Sequence, residues 1–226
     1  MANLKYALIV FSLCGALTSS AEDLQSVKAQ ILNLAETYSG QADLDGLKAK
    51  SFQPLIAQLL SLSAPQTMNQ KAVTAVGAWK QVWGPYSYNN SKVVSTSLDP
   101  NNIYQVISAT GFYTNVGINK FLGLPVIGLL KGQYIVTPEK INVEFKESGI
   151  LLEKVPPGFT LADLPALKEE GKLCILEFPK FLSPVGIKGA LIEIYVDSTL
   201  RITFGEQQGK LQRTLYIMQR VVGLPY

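Results

Sequence analysis

The chain has 226 residues, of which 47% are hydrophobic and 16% charged, with a formal net charge of +3 and no histidine. Soluble domains usually carry about 25% charged residues, so this is neither a disordered polyelectrolyte nor a basic nucleic-acid binder. Without histidine there is no serine–histidine or cysteine–histidine pair and no histidine-ligated metal, so binding stands ahead of catalysis, and no catalytic residue, metal or cofactor is expected.

Residues 1–21 read as a secretory signal. Lys5 is the only charge, Tyr6 to Leu17 is apolar, and Ser19-Ser20-Ala21 supplies small residues where cleavage would occur. The run is too short to cross a bilayer. Export follows as the expectation: periplasmic, secreted or thylakoid-lumenal, with an uncleaved N-terminal anchor as the alternative. Cleavage would leave Cys174 alone, so an apolar core has to hold the exported domain together.

Residues 22–65 read as helices that pack on a larger domain. Leu24, Val27, Ile31, Leu34 and Tyr38 recur at spacings of three and four, with Asp23 as a cap and Gly40 as a stop. A second helix is predicted from Ser51 to Leu62, with Pro54 in its first turn and a stripe of Phe52, Leu55, Ile56 and Leu59.

From residue 66 to 226 the chain reads as a β domain. Trp79, Gln81 and Trp83 share one strand face, and Ile141, Val143 and Phe145 alternate with polar residues. Further strands are predicted near 93–98, 102–109, 111–117, 132–137, 173–178, 190–196, 200–204 and 211–220. The turns fall at Pro138-Glu139-Lys140, Asp197-Ser198-Thr199 and Gly205 to Gly209. Many short strands joined by hairpins imply an antiparallel barrel or sandwich. Two apolar stretches broken by Gly and Pro, 121–130 and 155–167, fit neither period. The first is expected to be an entrance or a membrane-touching loop, the alternative being a strand or lid packed on the barrel.

The segment Ile194-Tyr195-Val196-Asp197-Ser198-Thr199-Leu200-Arg201-Ile202, followed by Gly209 and Leu215-Tyr216-Ile217-Met218-Gln219-Arg220, resembles the closing signature of the plastid lipid-associated proteins, or fibrillins. Gly77-Ala78-Trp79-Lys80 resembles that family's opening strand, and Ile103 to Ile107 its next segment. The resemblance spans roughly residues 24 to 222. It implies a lipocalin-like antiparallel β-barrel that holds a small lipophilic molecule, a lipid, isoprenoid or pigment, in plastids, at thylakoids or at lipid droplets. A secretory-type signal in place of a transit peptide points instead to an exported bacterial relative.

Within such a barrel, Gln81, Trp83, Tyr104, Phe112, Tyr134, Tyr195 and Arg201 are the candidate ligand contacts. Gly77, Trp79, Asp197 and Arg220 are the structural candidates: Arg220 covers the indole of Trp79, and Asp197 caps the turn before Leu200. Arg201 either stays structural or enters the barrel to meet a headgroup, with Glu193 as an inward ion-pair partner. The expected function is non-catalytic carriage of a lipophile, with membrane contact through 121–130. The alternative is a scaffold protein whose barrel is filled.

Overall fold

The computed structural model describes residues 4–39, 41, 43, 46–84, 102–121, 124–151, 175–177, 185–209 and 212–222, with backbone alone for 4–20, 119–121, 124–126, 150, 151 and 175–177. Four helices precede nine strands: α1 (Leu4–Thr37), α2 (Leu47–Ser51), α3 (Gln53–Ser61) and α4 (Met68–Thr74), then β1 (Gly77–Trp83), β2 (Ile103–Ile107), β3 (Phe112–Phe121), β4 (Leu124–Val136), β5 (Ile141–Leu151), β6 (Ile175–Glu177), β7 (Lys188–Val196), β8 (Leu200–Gln207) and β9 (Thr214–Val221).

Eight of the strands close into an antiparallel barrel in the order β1-β2-β3-β4-β5-β7-β8-β9, with β9 returning to β1. The short β6 adds to the far end of β5 at Gly149–Leu151. Every ring strand therefore pairs on both sides, which removes the exposed edges an open sheet would present. The fold is mainly β, as the hairpin-rich sequence predicts.

Two sequence expectations change, and one element was not expected. The helix expected to begin at Asp23 is the second half of the longer α1, so Asp23 lies inside a helix and caps nothing. The 121–130 stretch is no loop: β3 and β4 pair without interruption from Phe112↔Gln133 to Phe121↔Leu124. The described part of this apolar run is strand, the alternative the sequence left open, with Pro125 and Gly128 inside the ladder, while 122 and 123 lie outside the described residues. The unexpected element is α4, which the period analysis passed over. Its N-terminus is a capping box in which the Thr67 hydroxyl accepts from the Gln70 N–H and the Gln70 side chain accepts from the Thr67 N–H. The expected strand at 93–98, the stretch 155–167, Gly40 and Cys174 lie outside the described residues.

The molecule has two cores. Outside the barrel, Val27, Ile31 and Ala35 of α1 and Phe52, Ile56 and Leu59 of α3 and its start pack on Trp83, Leu200, Ile202, Leu215 and Ile217 of β1, β8 and β9. Inside it, Trp79, Ile107, Tyr113, Ile141, Val143, Leu191, Val196 and Met218 meet Ala72 and Ala75 at α4. The barrel thus has one end filled by α4.

Candidate functional site

Strand alternation, corrected at the bulges, sorts the candidate residues into the two faces of the wall. Between Gln81 and Trp83 the register of β1 against β9 shifts by one residue, and β7 shifts likewise between Glu193 and Tyr195. Each shift flips the parity that follows it. Gln81 faces inward with Trp79, but Trp83 turns outward and packs 4.8 Å from the ring of Phe52. Glu193 faces inward, whereas Tyr195 belongs to the helix-covered outer core. Tyr104 alternates with the inward Gln105 and so faces outward. Phe112 is also outward, under the ammonium of Lys131 at 4.5 Å. Of the seven candidate ligand contacts, the structure turns Gln81, Tyr134 and Arg201 inward and places Trp83, Tyr104, Phe112 and Tyr195 on the outside.

The filled end is fixed by two cations. Arg220 lies 4.2 Å over the Trp79 ring and donates to the carbonyls of Thr74 and Val76 at the end of α4. The Trp79 indole N–H donates to the Ala75 carbonyl at 2.7 Å. A side chain at Gly77 would strike Arg220: its Cβ would lie 2.4 Å from Nη1, and its φ of +131° is left-handed. Lys71 of α4 donates to the carbonyls of Glu193 and Ile194, the peptide groups at the β7 bulge. Burial lowers the Lys71 pKa, while the charge of Glu193 pulls it back up.

Next along the interior comes a buried polar layer. Arg201 makes a forked ion pair with Glu193, Nε to Oε2 at 3.0 Å and Nη2 to Oε1 at 2.6 Å, and donates from Nη1 to Gln105 Oε1 at 2.8 Å. Arg201 and Thr203 are fully buried and Glu193 is 1% exposed. Tyr113 donates to Asn115 at 2.7 Å, and burial pushes its phenol well above the ordinary tyrosine range, so it stays neutral. Gln105, Asn115, Tyr113 and Glu193 complete a constellation of which the sequence analysis singled out only Arg201 and Glu193. The others sit on ordinary alternating strands and carry no local signal.

Beyond this layer the described inward wall carries glycine on two neighbouring strands. Gln105 pairs with Asn115, and two residues farther along the same face Gly117 pairs with Gly128. A Cβ built on Gly128 would meet nothing closer than the Gly117 carbonyl at 3.8 Å. Asn115, Gly117, Gly128 and Leu130 keep partial solvent exposure, unlike the fully buried Trp79, Arg201 and Thr203. Among the described residues, the interior is therefore packed toward α4 and open toward the far ends of β3 and β4. A separate groove of about 520 Å³ on the outer wall runs past Phe112, Gln133, Ile135, Asn142, Glu144 and Lys188.

On the outer side, Asp197 caps its turn, with Oδ1 accepting from the N–H groups of Thr199 and Leu200. Its Oδ2 accepts from Lys28 of α1 at 2.7 Å and from the Tyr195 hydroxyl at 2.6 Å. Burial opposes ionisation of Asp197, but these donors outweigh it and hold the carboxyl far below the usual carboxylate range.

No protein-family model matches the chain, and no curated protein matches it. Among solved structures, it is similar to a streptavidin-like protein from Bacteroides eggerthii DSM 20697, at 12% identity and a TM-score of 0.32, over 64% of this chain and 78% of that one.

Proposed function

We propose that this protein is a non-catalytic carrier of a small lipophilic molecule, held in the open half of the barrel. The observation that carries this reading is the inward Gly117–Gly128 pair above a polar floor, with no described atom nearer than 3.8 Å to a Cβ built on Gly128. A ligand chain lying against that wall gains about 0.8 kcal/mol for each buried methylene, and the polar floor orients its head. Arg201 belongs to the floor as a fully buried, already paired group, so it positions Gln105 and does not itself await a ligand. The apolar β3–β4 hairpin is the proposed entrance and the part that touches a membrane or lipid surface.

The Trp79–Arg220 contact and the Asp197 turn support kinship with the fibrillins, and the N-terminal segment supports export. Among the described residues no helix is long and apolar enough to cross a membrane. A second reading, a scaffold protein, is favoured by the packed half, where Trp79, Ile141 and Arg201 leave no space. Native mass spectrometry of the purified chain, with organic extraction of what it carries, separates the two. A co-purifying lipid, isoprenoid or pigment supports the carrier. A chain that carries none and takes up none from mixed vesicles supports the scaffold.

A further inference from the structure

We infer that the buried end of the ligand is uncharged but hydrogen-bonding, as in a hydroxyl, carbonyl or amide, and is not a carboxylate, phosphate or amine. This deepens the carrier reading and rests on it.

The inference follows from where charge sits on the inward face. Among the described residues, the charged side chains that reach the interior are Glu193, Arg201, Arg220 and, from α4, Lys71. Arg220 is held by two α4-end carbonyls and the Trp79 ring, and Lys71 by two β7 carbonyls. Both lie on the packed side, away from the Gly117–Gly128 wall. Glu193 and Arg201 neutralise each other through both carboxylate oxygens. Among the described residues, what faces the open half is neutral: the Gln81 and Gln105 amides, Asn115 and the Tyr216 phenol, which burial keeps protonated.

A second carboxylate brought to this floor would leave one buried negative charge without a partner. An ammonium would do the same with the opposite sign. Either pays the desolvation cost of an unpaired buried ion unless the group changes its protonation state. A hydroxyl costs nothing comparable, because the floor offers both donors and acceptors. The chemistry therefore selects neutral amphiphiles over their ionised homologues.

The test uses the full chain and three fluorescent probes that share one tetraene chain: cis-parinaryl alcohol, cis-parinaric acid and cis-parinaryl amine. Binding is titrated at about pH 8, where the acid is ionised and the amine protonated. The alcohol is expected to bind at least about tenfold more tightly than either ion. Glu193→Gln removes the compensating charge beside Arg201, so the acid is expected to gain at least about tenfold relative to the alcohol, in a variant shown folded by near-ultraviolet circular dichroism. An acid that binds the wild type as tightly as the alcohol overturns this inference and leaves the carrier reading standing. Unchanged preference in folded Glu193→Gln also overturns it. If none of the three probes binds, the carrier reading itself falls, and this inference falls with it. The wild-type comparison decides the matter even if the variant does not fold.

Discussion

Gly77 shows how much can depend on a missing side chain. Its φ of +131° is a conformation that other residues adopt only under strain, and the space where a Cβ would sit holds the Arg220 guanidinium. Arg220 cannot move aside cheaply, because its two Nη groups tie β9 to the end of α4 and its face covers Trp79. Gly77→Ala is therefore expected to destabilise the protein by about 2–4 kcal/mol, through backbone strain plus displacement of a half-buried cation. Urea denaturation read by tryptophan fluorescence measures this. A change below about 0.5 kcal/mol would mean that the contact between first and last strands is slack. The fibrillin resemblance was enough to anticipate the Trp79–Arg220 contact, and Trp79↔Arg220 pair directly, ahead of the register shift at Gln81/Trp83. Arg201 was equally visible as a residue, but its partner Gln105 was not. Nothing local distinguishes a glutamine that meets an arginine 96 residues away.

At the scale of elements, one ion pair among the described residues straps α1 to the barrel. Lys28 is buried on α1 and reaches Asp197 in the β7–β8 turn. The folded carboxyl ionises more readily than the unfolded one, which titrates near about 3.9. Its contribution to stability is thus complete above about pH 5 and is lost as the pH falls through and below that value. Asp197→Asn keeps an oxygen for the Thr199 and Leu200 N–H groups but loses the charge that holds Lys28 and Tyr195. The expected cost is about 2 kcal/mol at neutral pH, shrinking toward zero on acidification. Stability curves of wild type and variant that stay parallel down to about pH 3 would show that Asp197 is not the titrating group. The amphipathic stripes of α1 and α3 were readable because they cover a broad apolar wall. The short α4 escaped because seven residues carry too few periods to register, although its Thr67–Gln70 capping box was in plain sight. The bulges misled most. One extra residue in β1 and one in β7 send Trp83 and Tyr195 to the opposite face, and strand alternation carries no mark of such an insertion.

For the whole molecule, the question is whether the unfilled half of the barrel is used. Two inward glycines on β4 separate the possibilities. Gly132 is required by crowding: a Cβ there would lie 2.7 Å from the Glu144 carbonyl and 3.0 Å from Val143 Cγ1. Gly128 has no such neighbour among the described residues, where only the Gly117 carbonyl at 3.8 Å comes near. Gly132→Ala should therefore lower stability by about 1–3 kcal/mol through overpacking. Gly128→Leu should change stability by less than about 1 kcal/mol while filling the space above the polar floor. If the open half holds the ligand, Gly128→Leu loses most of its lipophile uptake with its denaturation midpoint nearly unchanged. Retained uptake in Gly128→Leu would move the ligand elsewhere, with the outer groove by Phe112 and Ile135 the next place to look. A large loss of stability would mean that the space is already occupied by the chain itself, and the scaffold reading would then take precedence. The barrel's closure was predictable from its hairpins, but this division into a packed and an open half was not. It depends on which glycines are crowded, and that becomes visible only when distant strands are brought together.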